Sequence, residues 1–547
     1  MSWDRAEGDP ISGRAYGDGA SGRLGRPNRR TRRERHGQRE RKELSHALSV
    51  TLTRSGCLGR AAPLLRTFDP RKSGPGGPGF VCQKGLTQTA KLLIASDFMS
   101  GIVYIGSHLG YPMDRTPLGG GATVGLQLAR AWSKRTDLNL LAMGSGPQTP
   151  AAGFPYVQLP EPGMQHALEK LSEMGYARFC RDFERATTDF LIAHRGAYPP
   201  GETTVIVNDI SEGPDLERIA AAGYPILSIW HVDVVEFFNR IYLKDVLAPE
   251  RWTRGFDRLR SWGLSGVVPD VLKLVFEKQR ETVARSDVLI VPSRQMGETV
   301  RRCYSHLEDG GKRPLAERVV VVPWGGWRES FPDAEVAVEA SRLRTHYQLS
   351  PSTRVVLTMS RISPEKGIHL LLDALMKIEN SPRLRGIDTA VFVCGETAFM
   401  RGEAYGRKVR RAAARLTRTR VFFPGYLSAL GKRVYFRLAD LFVSPSLHES
   451  YGLTIVEALQ EGIAVLASDH YGVAEILAPE YGRTVSYARP SRRSDALAGA
   501  LAELLSDPAG LKRMGKAAAQ AAKHMRFSDA AERVLDAALA LAGGEGR

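Results

Sequence analysis

Cysteine is scarce: there are five in 547 residues (Cys57, Cys82, Cys180, Cys303 and Cys394), widely scattered and without a Cys-x-x-Cys pair. That excludes a disulfide-stapled scaffold and a paired-cysteine zinc site, and makes a reducing cytoplasm the simplest compartment. No stretch approaches the ~18 consecutive apolar residues of a membrane span. The N-terminus has no compact apolar core after its charges, which argues against a secretory signal. Acidic side chains are in deficit, 59 Asp+Glu against 76 Lys+Arg, for a net charge of +17. The surplus is uneven. Residues 1–98 carry 19 basic and 9 acidic side chains, and the rest of the chain 57 and 50. So dilute a surplus over the larger part is not the basic stripe of a nucleic-acid binder, and no nucleic acid is expected as partner.

The chain is otherwise ordinary for a soluble protein, 43% hydrophobic and 25% charged. Residues 1–98 stand apart. They hold the basic run Arg29-Arg30-Thr31-Arg32-Arg33-Glu34-Arg35 and the Gly/Pro-rich Ser73–Gly79. Such a segment buries too little apolar surface to offset its chain entropy and reads as a disordered basic leader. Met99 stands directly before the apolar run Gly101–Gly106, so a mis-assigned translation start is the alternative. A basic tail for anionic membrane is a third reading.

From Gly101 onward, short apolar runs recur at 101–106, 137–142, 204–208, 225–230, 287–292 and 318–323. Helical periodicities, such as Ala122–Trp132 and Met164–Phe190, lie between several of them. A breaker cluster, Pro323-Trp324-Gly325-Gly326-Trp327, suits a hinge. A second series follows at 354–359, 389–394, 420–423, 441–444 and 464–468, interleaved with helical segments at 367–378 and 453–460. Strands alternating with helices imply parallel sheets. The expected fold is α/β, with two doubly wound Rossmann-like domains facing across a crevice. The expected segments are a leader (1–98), an N-terminal domain (99–323), a C-terminal domain (324–508) and a helical tail (509–547) packing back toward the first domain. Ligands are expected at the carboxyl ends of the strands.

The sharpest motif runs from Ser444 to Ala458, Ser-Pro-Ser-Leu-His-Glu-Ser-Tyr-Gly-Leu-Thr-Ile-Val-Glu-Ala. A strand ends, a loop carries Glu449, and a helix starts near Gly452 and Leu453 with Glu457 one turn in. A helix start offers unpaired N–H groups and a positive dipole end to an anion, while carboxylates accept from sugar hydroxyls. The segment resembles the Glu-x7-Glu motif of the family 4 retaining glycosyltransferases (glycosyl transferases group 1), whose fold is the two-domain GT-B type. The resemblance implies that Glu449 contacts the donor sugar and Glu457 the nucleotide ribose, with Tyr451, Gly452 and Leu453 beside them. Met359–Gly367 resembles the same family's Arg-x4-Lys loop. Arg361 and Lys366 can point at one diphosphate, Arg as a fork and Lys as a point charge. In Pro117–Thr123 a glycine turn opens a helix, and the resemblance places Gly120 and Gly121 by the donor phosphates. His231 closes an apolar strand where the family has a histidine near the donor sugar. A core histidine bonded to backbone is the competing reading. Gly425, in Phe423-Pro424-Gly425-Tyr426, resembles the turn beside the nucleobase. Glu475 matches a Gly-x-x-Glu segment, either structural or supporting the donor site. Asn208 and Asp209, at another strand end, are candidates for acceptor contact.

No Asp-x-Asp occurs in the chain. Carboxylate pairs of that kind hold divalent metals, which prefer oxygen ligands, so no metal and no cofactor are expected beyond the nucleoside-diphosphate-sugar co-substrate (a UDP- or GDP-sugar). The resemblance implies retaining transfer to an acceptor hydroxyl on a glycan, a lipid-linked or a small molecule. A sugar-nucleotide 2-epimerase of the same fold and a non-catalytic nucleotide-sugar-binding protein are the alternatives. In residues 251–264, Trp252, Phe256, Leu259 and Trp262 share a helical face, with Arg251, Arg254, Arg258 and Arg260 crowding the others. That stripe either packs into the first domain or docks on acceptor or anionic membrane, which would place a cytoplasmic protein peripherally on the inner face.

Overall fold

The computed structural model describes residues 101–111, 119–150, 155–160, 173–242, 247–307, 312–397 and 402–543. The leader, Pro117 and Leu118, and part of the 164–190 segment lie outside these. The described residues fall in one compact unit, built on two parallel sheets.

The first sheet has the order β3-β2-β1-β4-β5-β6-β7, from β1 (Gly101–Ile105), β2 (Asn139–Gly144), β3 (Tyr156–Gln158), β4 (Thr203–Val207), β5 (Ile226–Ile229), β6 (Val288–Val291) and β7 (Val319–Val321). The second has the order β10-β9-β8-β11-β12-β13, from β8 (Arg354–Met359), β9 (Thr389–Cys394), β10 (Thr419–Gly425), β11 (Leu441–Ser444), β12 (Ala464–Ser468) and β13 (Gly482–Val485). Central strands such as Gly101–Ile105 and Val288–Val291 are buried at every residue. Parallel strands covered on both faces are continuous apolar runs for that reason. β3 and β13 do not show in the sequence pattern. They are short edge strands, partly exposed along their length, so no apolar run marks them. Both sheets reverse strand order beside their first strand, at β1/β4 and β8/β11, where a doubly wound fold opens its ligand crevice.

The helices that position the site are α1 (Gly120–Trp132), α2 (Val234–Tyr242), α3 (Pro249–Ser261), α4 (Arg294–Tyr304), α5 (Leu453–Gln460), α6 (Pro508–Ala522) and α7 (Phe527–Ala542). The Ala-rich tail is therefore two helices. Between them the chain meets the breaker cluster: Gly326 N donates to Met525 O and Phe527 N to Gly326 O. Gly325 has φ 64°, and a Cβ there would lie 2.6 Å from the Arg526 carbonyl carbon, so this crossing needs glycine. α7 then lies on the first sheet. Trp132 Nε1 donates to Ala531 O at 3.0 Å and Thr204 Oγ1 to Ala538 O at 2.7 Å. One apolar core runs through both sheets and α7.

Candidate functional site

The glycine turn draws four segments together. Gly119 has φ 92° and precedes α1, which has no side-chain cap and no acid in its first turn. A Cβ on Gly119 would lie 4.0 Å from the Arg361 guanidinium carbon, one on Gly120 3.3 Å from Leu453 Cδ1, and one on Gly121 2.9 Å from His231 Cδ2. A side chain at Gly121 would displace the imidazole. Leu453 is the first residue of α5, which follows Gly452 in a left-handed conformation (φ 105°) and also lacks a side-chain cap and a first-turn acid. Two uncapped helix starts thus meet across the crevice, and their N–H groups and dipoles together suit an anion.

The cationic loop follows β8. Gly367 has φ 63°, and a Cβ on it would overlap Pro445 O at 1.9 Å. Only glycine lets this loop lie against the one after β11, where Leu447 N donates to Glu365 O at 2.7 Å. The close approach delivers Lys366 Nζ to Glu449 Oε2 at 2.7 Å. Burial works to raise the Glu449 carboxyl, but the Lys366 ammonium outweighs it and holds it below the usual range. Arg361 lies 3.6 Å from Glu365 Oε1. Glu457 is held by Lys432, whose Nζ donates to Oε1 at 2.5 Å. Its other oxygen, Oε2, is buried without a hydrogen-bond partner. A cavity of about 480 Å³ runs past Glu457 and Lys432 to Tyr426 on one side and Thr123, Gln127 and Arg130 of α1 on the other. That volume is in the range of a small-molecule site.

Across the crevice, Asn208 Oδ1 accepts from Tyr104 OH at 2.9 Å and lies 3.1 Å from His231 Nε2. A carbonyl oxygen only accepts, so the imidazole carries its proton on Nε2 and leaves Nδ1 as an acceptor. Burial pulls the ring down to about 4, against the raising charge of Asp209. Asp209 lies 3.5 Å from His108 Nδ1. Burial opposes charge on His108, but its hydrogen bond to Asp209 prevails and lifts it to about 9. Tyr176 OH donates to Glu212 beside this pair.

The structure brings Gly120, Gly121, His231, Asn208, Arg361 and Leu453 to one place, with Lys366 and Glu449 paired. Glu457 stands on the cavity with Lys432. Tyr451, beside Gly452, is buried, and its hydroxyl accepts from Gly325 N at 2.9 Å, propping the breaker cluster. Gly425 ends β10 with φ 83° and bonds through its carbonyl to Gly395 N. Glu475 accepts from Arg294 N and Gln295 N, both at 3.1 Å, and so caps α4 of the first domain. Lys432, His108, Glu212 and Tyr176 carry no motif in the sequence. Their partners are far along the chain, and only the fold brings them together.

Among the described residues, two groups place three possible metal-ligand atoms within 4.8 Å, Glu236/His448/His470 and His108/Asp209/Glu212. In each, a carboxylate already pairs with an imidazole. The aromatic and arginine stripe divides. On α3, Phe256 stacks on Phe276 at 4.9 Å and Trp252 Nε1 donates to Asn239, whereas Trp262 is 69% exposed, with Leu264 at 48% and Val267 at 72%.

Residues 341–521 match the family model of glycosyl transferases group 1. Alpha-D-kanosaminyltransferase of Streptomyces kanamyceticus is 30% identical over 191 residues, 35% of this chain and 46% of that protein. The chain spans about half the length of the curated relatives it matches. Sucrose-phosphate synthase of Thermosynechococcus elongatus superposes with a TM-score of 0.58 at 19% identity, over 80% of this chain and 98% of that one. Anabaena HepE in complex with UDP and glucose superposes at 0.53 and 16% identity, over 80% and 99%. The two sheets thus have the GT-B fold, and residues 341–521 are similar to the glycosyl transferases group 1 family.

Proposed function

We propose that the protein transfers a sugar from a nucleoside-diphosphate-sugar to an acceptor hydroxyl, with retention at the anomeric carbon and without a metal. The observation that carries this reading is the convergence of Arg361, Lys366 and two uncapped helix starts beside Glu449. Charge develops on the departing diphosphate, and fixed cations and N–H dipoles stabilise it without reorganising. Lys366 has three donor hydrogens. One is engaged by Glu449, so the others are available to a phosphate. Glu449 accepts from sugar hydroxyls, and the unpartnered Oε2 of Glu457 accepts from a ribose hydroxyl. His231, neutral above its depressed pKa, offers Nδ1 as an acceptor. HepE was solved with UDP and glucose, which favours a UDP-sugar first and a GDP-sugar next. Retention rests on the family resemblance.

The test is a donor panel of UDP-, GDP- and ADP-sugars, read as release of nucleoside diphosphate. Release from one donor supports the reading. Binding without release points to a non-catalytic binder, and a 2-epimerised sugar nucleotide to the epimerase.

The exposed Trp262, Leu264 and Val267, with exposed Arg251, Arg254, Arg258 and Arg260 on the preceding helix, suit an anionic membrane surface, apolar tip inserted and guanidinium groups on headgroups. Among the described residues no helix is long and apolar enough to cross a membrane. Sedimentation with phosphatidylglycerol vesicles, lost in Trp262→Ala or at high salt, is expected. Equal sedimentation with neutral and anionic vesicles refutes it.

A further inference from the structure

The loop that carries Glu449 is gripped from the other domain. Glu236 stands in the first turn of α2, five residues after His231, and Asp233 Oδ1 accepts from its backbone N–H at 2.9 Å. Its carboxylate leaves the first domain and pairs with two histidines of the second. His448 Nε2 lies 2.7 Å from Oε2 and His470 Nε2 3.9 Å from Oε1, with all three side chains at least nine-tenths buried. Arg240, one turn on, lies 3.6 Å from Oε1. The two imidazoles grip the donor loop differently. His448 is the residue before Glu449, so its side chain points to Glu236 while Glu449 points to Lys366. His470, on the loop after β12, sets Nδ1 3.1 Å from Glu449 N and 3.2 Å from Glu449 O. It holds the backbone of the residue assigned to the donor sugar.

We infer that Glu236 is a positioning residue: by clamping His448 and His470 across the domain boundary, it sets the placement of Glu449 and makes that placement depend on the two domains being together. The inference rests on the glycosyltransferase reading and deepens it. The physical reason is desolvation. A carboxylate and imidazoles buried together must pair, whereas each regains water once the domains part. The pairing therefore exists only in the approached state. It is also incomplete, because His470 Nε2 has no hydrogen-bond partner and faces Glu236 across 3.9 Å. A further approach of about 1 Å brings that contact within hydrogen-bond range. The clamp is thus poised to tighten as a donor draws the domains together. Glu457, at the proposed ribose contact, is held by Lys432 within the second domain and does not depend on it.

The test is Glu236→Gln, which keeps shape and removes charge, alongside His448→Gln and the double variant. Nucleoside diphosphate release is measured with the donor that the wild type uses. The expected result is a fall in kcat of roughly 10- to 100-fold, the cost of misplacing a reacting group by about 1 Å, with donor KM changed less than threefold. The double variant should lose no more than the worse single one. Small-angle scattering should show a larger radius of gyration for Glu236→Gln with nucleoside diphosphate present. Unchanged kcat, a KM-only effect or additive losses overturn the inference. If Glu236→Gln does not fold, His448→Gln carries the same kinetic and scattering tests. If the wild type releases no nucleotide from any donor, the functional reading fails. Scattering alone then decides the clamp, and an unchanged radius in the variant overturns it.

Discussion

Glu449 and Glu457 should fail in different ways when each is changed to glutamine. Glu449 is ionised and paired with Lys366 at 2.7 Å, and the proposed transfer puts it beside the place where charge and geometry change in the transition state. Losing its charge also leaves the largely buried Lys366 ammonium without a counter-charge. The expected loss is on the order of 2–4 kcal/mol of transition-state stabilisation, or roughly 30- to 1000-fold in kcat. Glu457 has a buried, unpartnered Oε2, which the proposal assigns to a ribose whose contacts hardly change during transfer. Binding that is equal in ground and transition states sets KM rather than kcat. One hydrogen bond to a charged acceptor, at ~1.5 kcal/mol, predicts roughly a tenfold rise in donor KM. Glutamine keeps an oxygen for Lys432 and turns its amide nitrogen toward the ribose, replacing a charged acceptor with a weaker neutral donor. The Lys432 pair is about one-third exposed on its lysine side, so its loss should cost under ~1 kcal/mol of stability. Steady-state kinetics with the identified donor, beside urea unfolding of each variant, separate these effects. Wild-type kinetics in both variants would mean that the crevice is misplaced, and a kcat effect at Glu457 with none at Glu449 would reverse the assignment.

Lys366→Ala and Arg361→Ala should each lower turnover by roughly 30- to 1000-fold while the circular dichroism spectrum is kept. Undiminished nucleotide release in both refutes the phosphate role. Activity should persist in EDTA, and complete loss restored by magnesium or manganese would overturn metal-free transfer. His231 titrates at about 4 in the fold against 6.5 when unfolded. Between those values the unfolded chain binds more protons, so its contribution is full above pH 6.5 and is lost as pH falls toward 4. At most that is about 3 kcal/mol. Urea midpoints should fall over this window more steeply in the wild type than in His231→Gln, and equal slopes refute the shift.

Much of the architecture is legible because buried parallel strands are continuous apolar runs. Ile102–Ile105 and Val288–Val291 could be read at once. The edge strands Tyr156–Gln158 and Gly482–Val485 could not, since partial exposure frees them from that pattern. The tail read as one helical stretch because alanine favours helix throughout. Its break at Lys523–Arg526 is set by a crossing with Gly326, two hundred residues away. The Trp252–Trp262 stripe satisfied one helical period, yet the fold buries Phe256 and exposes Trp262, because the helix ends before the stripe does.

Local patterning makes the two sheets and the glycine turns legible, and marks Arg361, Lys366, Glu449 and Glu457 as candidates on their loops and helix start. Each depends on local patterning, on periodicity, or on a short motif spanning one strand end and one helix start. Which charges meet depends on the folded arrangement of distant segments. Lys366 and Glu449 are 83 positions apart, and Glu236 and His448 are 212. Such pairs leave no spacing to read, because a carboxylate chooses its partner by what else is buried beside it. Only the packing of one domain's strand ends against the other's puts Glu236 between two histidines. Only that packing turns a helix-start carboxylate, unremarkable in sequence, into the contact that holds the Glu449 loop.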